Sequence, residues 1–169
     1  MKEIIFIRGP QGSGKTTTSK LLRQYLNYPP YFEFDWIRGY HLDPRWKRAS
    51  EPEEKMSFEN VVFTIKNYLK NKYKNIILIG LEDKFRDRLI KKANIKRYLL
   101  VTLTIDRDEE LKRRVLTESR DSGFRDFEES LKMNKILKQS KLLKNEVKID
   151  NSHNDPSITV RKIVKFVSS

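Results

Sequence analysis

The chain has no cysteine, so disulfides and thiolate metal sites are excluded. Its two histidines, His41 and His153, are too few and too far apart in sequence to suggest a metal cage. No apolar run is long enough to span a membrane, and the opening "MKEIIFIR" is too short for the apolar region of a signal peptide. These absences lead to the expectation of a soluble, cytoplasmic protein with no membrane partner. Glycine is scarce too. There are six in 169 residues, and three of them, Gly9, Gly12 and Gly14, fall in one short stretch. No repeat, low-complexity tract or Gly/Ser linker divides the chain, and its length suits one domain, 1–169.

Charge is what the chain has in excess. Charged residues make up 35% of it and the formal net charge is +13. A balance this basic favours polyanionic partners such as nucleic acid or phosphorylated ligands. It equally fits a lysine-biased composition, because the lysines run along the whole chain.

Strand-length apolar runs alternate with helical patterns. "EIIFIR" (3–8), "PYFEFD" (30–35), "NIILIG" (75–80), "RYLLVTLTI" (97–105) and "EVKID" (146–150) are the expected strands. Helical spacing is expected over 15–26, 53–73, 83–93, 107–118, 124–144 and 156–167. Strand and helix alternate throughout, which predicts an α/β fold: a parallel sheet covered by helices on both faces.

The glycine-rich stretch "GPQGSGKT" lies between the first strand and the first helix. It runs Gly9, four residues, then Gly14, Lys15 and Thr16. Glycines let successive backbone N–H groups turn inward around a phosphate, with no Cβ in the way. Lys15 is then the point charge for the β- and γ-phosphates, and the Thr16 hydroxyl is placed for Mg²⁺. The helix that follows turns its N-terminal dipole toward the anion. Gly9, Gly12, Ser13, Gly14, Lys15, Thr16 and Thr17 are the expected nucleotide-binding set, for ATP with Mg²⁺.

With "GPQGSGKTTTSKLL" near its start and "YFEFDWIR" a short helix later, the chain resembles the small P-loop kinases. These include shikimate kinase, gluconate kinase and the kinase module of polynucleotide kinases. The resemblance implies a P-loop NTPase three-layer sandwich with five parallel strands in the order 2-3-1-4-5, and an ATP-dependent phosphotransferase. It also implies an acidic residue at the end of the second strand facing the acceptor hydroxyl. Glu33 and Asp35 alternate with Phe32 and Phe34, so both carboxylates should point to one side of that strand. Asp35, nearer the carboxyl edge, is the candidate base or orienter of the hydroxyl. Glu33 is implied as a water-mediated Mg²⁺ partner. Arg38 stands three residues after Asp35, as in the Asp-x-x-Arg of polynucleotide kinases, where the arginine grips an acceptor phosphate. The apolar run of the third strand ends in Gly80 with no aspartate. That argues against a motor ATPase and mildly against a GTPase switch.

The same resemblance implies an arginine-bearing lid around 113–126, in "RRVLTESRDSGFRD". Arg120 is the expected catalytic clamp on the phosphates, with Arg125 in reserve, and Arg114 is the residue that would stack beneath the base. For Arg113 and Arg114, "DEELKRR" also supplies acid-to-base pairs that would form on any solvated helix. "DNSHND" (150–155) should edge the adenine. The acceptor segment is expected around 36–60, where Trp46 lies among cations in "YHLDPRWKRA", a mixture that suits stacking on nucleic acid. Charge therefore tips the acceptor toward a nucleic-acid 5′-hydroxyl end. A small hydroxyl compound is the alternative, and a non-catalytic nucleotide switch comes third.

Overall fold

The computed structural model describes residues 1–39, 50–117, 125–153 and 155–168. In chain order the elements are β1 (Ile4–Arg8), α1 (Lys15–Tyr25), β2 (Tyr31–Glu33), α2 (Phe34–Gly39), α3 (Glu51–Lys70) and β3 (Ile76–Ile79). They continue with α4 (Asp83–Lys92), β4 (Tyr98–Thr104), α5 (Asp108–Leu116), α6 (Phe127–Gln139), β5 (Glu146–Asp150) and α7 (Pro156–Ser168). The strands form one parallel sheet in the order β2-β3-β1-β4-β5, as expected of the P-loop NTPase three-layer sandwich.

The alternation of side chains along each strand divides the core into two layers. Ile4 and Phe6 of β1, with Ile76, Leu78 and Leu100, face Phe58, Val61 and Ile65 of α3 and Phe85 and Leu89 of α4. Ile5 and Ile7, with Ile77, Ile79, Val101 and Leu103, face Leu22 of α1 and Val160, Ile163 and Val167 of α7. Phe58 is fully buried and stacks on Phe85 at a ring separation of 5.2 Å, so truncating it to alanine would cost about 3–5 kcal/mol.

Outside glycine, asparagine takes most of the left-handed turn positions. Asn27, Asn75, Asn94 and Asn145 all have positive φ, and its short amide tolerates that region better than other side chains. At the end of β1, Arg8 donates to the Thr102 hydroxyl (2.8 Å) and ion-pairs with the buried Glu146 (2.8 Å) and with Asp83. This fixes the strand end from which the glycine-rich loop departs. Burial pushes the Glu146 carboxyl up. The Thr102 hydroxyl, the Leu143 N–H and the Arg8 guanidinium together hold it below its ordinary value.

Two elements differ from the sequence expectation in ways that matter for the site. The second strand stops at Glu33, and Phe34–Gly39 is a short helix. The register explains this: β2 pairs only with β3, and Glu33 lies opposite Ile79, the last residue of its partner. With no strand left to pair with, Phe34 and Ile37 use helical spacing to reach the core. Glu33 and Asp35 are therefore not carboxylates of one strand face. The second difference is α6, which ends at Gln139 rather than 144, so Lys141 and Lys144 lie beyond the helix. Its last buried side chain is Leu137, whereas Leu142 and Leu143 are exposed and give a longer helix nothing to bury.

No helix among the described residues is long and apolar enough to cross a membrane.

Candidate functional site

In the sheet order, β1 lies between β3 and β4, so the chain's connections run to opposite sides at its carboxyl end. A crevice forms at such a switch point. The glycine-rich loop fills it and opens α1, whose first turn contains no acidic residue to oppose an anion. Gly14 sits at the helix start with φ 84°, and a Cβ there would come 2.6 Å from the Asn151 amide nitrogen. Both backbone conformation and space thus require glycine.

The Lys15 ammonium folds back onto the loop, donating to the Gly9 and Pro10 carbonyls at 2.9 and 2.8 Å. Asn151, in the loop after β5, donates to the Ser13 carbonyl (2.8 Å) and accepts from the Thr159 hydroxyl (2.6 Å). Arg114 of α5 donates to the carbonyls of Asn151 (2.8 Å) and His153 (3.0 Å) and pairs with Glu110 (2.5 Å). The hydrogen bond from Arg113, and that from Arg114 against the opposing effect of burial, hold the Glu110 carboxyl down to about 2.

Around this loop lies a groove of about 1040 Å³. One arm is lined by Arg114, Thr117, Asn151, His153 and Pro156, and the floor by Gly12, Gly14, Lys15, Thr16 and Thr17. Toward β2 the lining is Glu33, Asp35 and Trp36, and Lys20 and Gln24 line the groove from α1. Glu33 accepts a hydrogen bond from the Tyr31 hydroxyl. Burial and that carboxylate raise the Tyr31 pKa above its ordinary value. Asp35, in the first turn of α2, lies beside Gly80, which has φ 79° and follows the last residue of β3. Asp35 pairs with Arg38 at 3.0 Å, and Arg38 also pairs with Glu54 of α3.

The sequence-derived residues therefore separate into groups. Gly12, Gly14, Lys15, Thr16, Thr17, Glu33, Asp35 and Arg114 line one groove, with Gly9 and Ser13 buried behind the floor. Arg38 does not line it, being held between two carboxylates, nor does Arg125. Arg113 is exposed and pairs with Glu110, the solvated-helix pairing anticipated for it. Trp46 and Arg120 lie outside the described residues. Glu82 and Asp83, after β3, are paired with Lys84 (3.0 Å) and with Arg8 and Arg86, away from the groove. Sequence reasoning missed Trp36 at the β2 end and Lys20 and Gln24 on α1, and it named no nucleotide-binding residue in the Asn151 loop. Lys20 and Gln24 share an α1 face with Thr16 at helical spacing, a signal that was present in the sequence.

Residues 5–134 match a family described as an AAA domain. The chain belongs to the AAA domain family. No curated protein matches its sequence. Among solved structures, a sugar kinase from Janibacter sp. HTCC2649 has a TM-score of 0.72 at 13% identity, covering 99% of this chain and 95% of that one. A gluconokinase from Sinorhizobium meliloti 1021 has a TM-score of 0.69 at 14% identity, covering 99% and 92%. Shikimate kinase from Acinetobacter baumannii, in complex with shikimate, has a TM-score of 0.60 at 19% identity, covering 99% and 93%. These likenesses establish the shared fold of this AAA-domain chain and the small P-loop kinases.

Proposed function

We propose that the chain is an ATP-dependent kinase that transfers the γ-phosphate of ATP to a hydroxyl of a small molecule. One observation carries the reading: the phosphate loop, with Lys15 and Thr16, and the two carboxylates Glu33 and Asp35 line the same groove. Phosphoryl transfer needs an anion cradle and, within reach of it, a group that orients the attacking hydroxyl. The neighbours' names add sugar, gluconate and shikimate as acceptors of proteins sharing this fold. A nucleic-acid 5′-hydroxyl end, toward which charge alone tipped the sequence, has no such support. The arginine meant to grip its phosphate is engaged by Asp35 and Glu54.

In this mechanism Lys15 exchanges the Gly9 and Pro10 carbonyls for the β- and γ-phosphate oxygens. The acceptor oxygen forms a bond to the γ-phosphorus as the bond from that phosphorus to the bridging oxygen breaks, and ADP leaves. The hydroxyl proton passes to the Asp35 carboxylate. Arg114 holds the loop on which the base end of ATP would rest. Thr16 and Glu33 supply a hydroxyl and a carboxylate, the oxygen donors that a hard cation takes. Mg²⁺ held there would neutralise charge on the β- and γ-phosphates.

The test mixes the protein with γ-labelled ATP, a pool of small hydroxyl compounds and a 5′-OH oligonucleotide. Label should enter the small-molecule fraction. Label on the oligonucleotide alone would overturn the acceptor class, and tight ATP binding with no transfer to any acceptor would overturn the kinase.

A further inference from the structure

We infer that the acceptor arm of the groove takes an uncharged sugar ring, with Trp36 as the face on which the ring lies. The inference rests on the kinase reading above. Trp36 follows the candidate base directly in the chain and lines the groove with it, yet 53% of its surface is open to solvent. A large indole left in water beside reactive carboxylates suits a partner that covers it.

Its position is set by neighbours. The indole stands edge-on to the Tyr31 ring, at 6.0 Å between ring centres and 76° between planes. Tyr31 in turn is tied to Glu33 and, at 3.4 Å, to the Ser19 hydroxyl of α1. One chain of contacts thus runs from α1 through Tyr31 to both Glu33 and Trp36, fixing an apolar surface and a hydrogen-bond acceptor relative to each other.

The charge of this arm selects the class of acceptor. Its described acids are Glu33 and Asp35, and Lys20 lines the groove from α1. Lys15 belongs to the phosphates, and the Arg38 guanidinium is spanned by Asp35 and Glu54. A carboxylated or phosphorylated acceptor would be repelled by the Asp35 carboxylate at the point of transfer. An uncharged ring polyol meets the same groups favourably. Its hydroxyls donate to Asp35, and its C–H face covers the indole.

The experiment measures transfer from γ-labelled ATP to three acceptor sets: uncharged sugars, their carboxylated counterparts, and nucleosides. It uses the parent protein, Trp36→Ala and Trp36→Phe, each checked for fold by circular dichroism. Label should enter the uncharged sugars first. For the best of them, Trp36→Ala should raise the acceptor KM about tenfold or more, with kcat and the KM for ATP changed little. Trp36→Phe, which keeps an aromatic face, should recover most of that loss and remains informative if the alanine variant folds poorly. Preference for carboxylated acceptors, a requirement for a base, or an unchanged sugar KM in Trp36→Ala would each overturn the inference while leaving the kinase intact. No transfer to any acceptor would instead overturn the kinase reading, and the inference would fall with it.

Discussion

The two arms of the groove are built by different means. The arm proposed for the nucleotide is made of backbone: a glycine-rich loop, a helix start, and carbonyls held by Asn151 and Arg114. The arm proposed for the acceptor is made of side chains carried on a three-residue strand and a six-residue helix, tied back to α3 through Arg38 and Glu54. Phosphate is the same ligand in every protein that binds it, so a fixed backbone cradle serves it. An acceptor varies, and side chains on short elements can vary with it while the sheet is kept.

The comparison breaks most sharply at Lys15. Lys15→Ala removes the one lysine of the loop, and kcat should fall by about 10²–10³-fold with a clear loss of ATP affinity by calorimetry, while the unfolding midpoint stays put. Asn151→Ala tests whether the backbone arm is braced from outside. It leaves the Ser13 carbonyl and the Thr159 hydroxyl without their buried partner, costing about 1–3 kcal/mol in denaturant unfolding and weakening ATP binding. On the acceptor arm, Arg38→Ala frees Asp35 from its tie to α3. It should lower kcat by about 10-fold, with ATP affinity held and stability altered by less than in Asn151→Ala.

The smallest effect is one of pH, and it belongs to the nucleotide arm. Glu110 is held at about 2 against an ordinary 4.5, so the folded state favours its ionised form. A depressed carboxyl contributes stability above its unfolded value and loses it as pH falls toward the folded one. Unfolding midpoints of the parent should therefore drop between pH 4.5 and 2, and the drop should be shallower in Glu110→Gln.

The same contrast governs how much was legible in the sequence. The phosphate loop and the strands announce themselves locally, through glycine spacing and unbroken β-branched runs, and strand order followed from the family likeness. Glu33 and Asp35 were found as residues but misplaced as a strand pair, because Phe32 and Phe34 mimic alternation. What ended the strand was the end of β3 at Ile79, 46 residues beyond Glu33, which a local pattern does not carry. Asn151 was out of reach for a similar reason: it acts on Ser13, 138 residues away. Trp36 gave no signal of its own, since its exposure depends on α1 and Tyr31 rather than on the residues beside it.

The central claim is that Asp35 acts on the acceptor hydroxyl and takes no part in holding ATP. Single-turnover transfer by Asp35→Asn, at saturating ATP and with ATP affinity measured on the same sample, tests it most directly. Asparagine keeps the shape of aspartate but has no carboxylate to take the proton. The account predicts a rate of transfer lower by about 10²–10⁴-fold with ATP affinity nearly unchanged. Transfer at the parent rate, or a loss of ATP binding equal to the loss of rate, would contradict it.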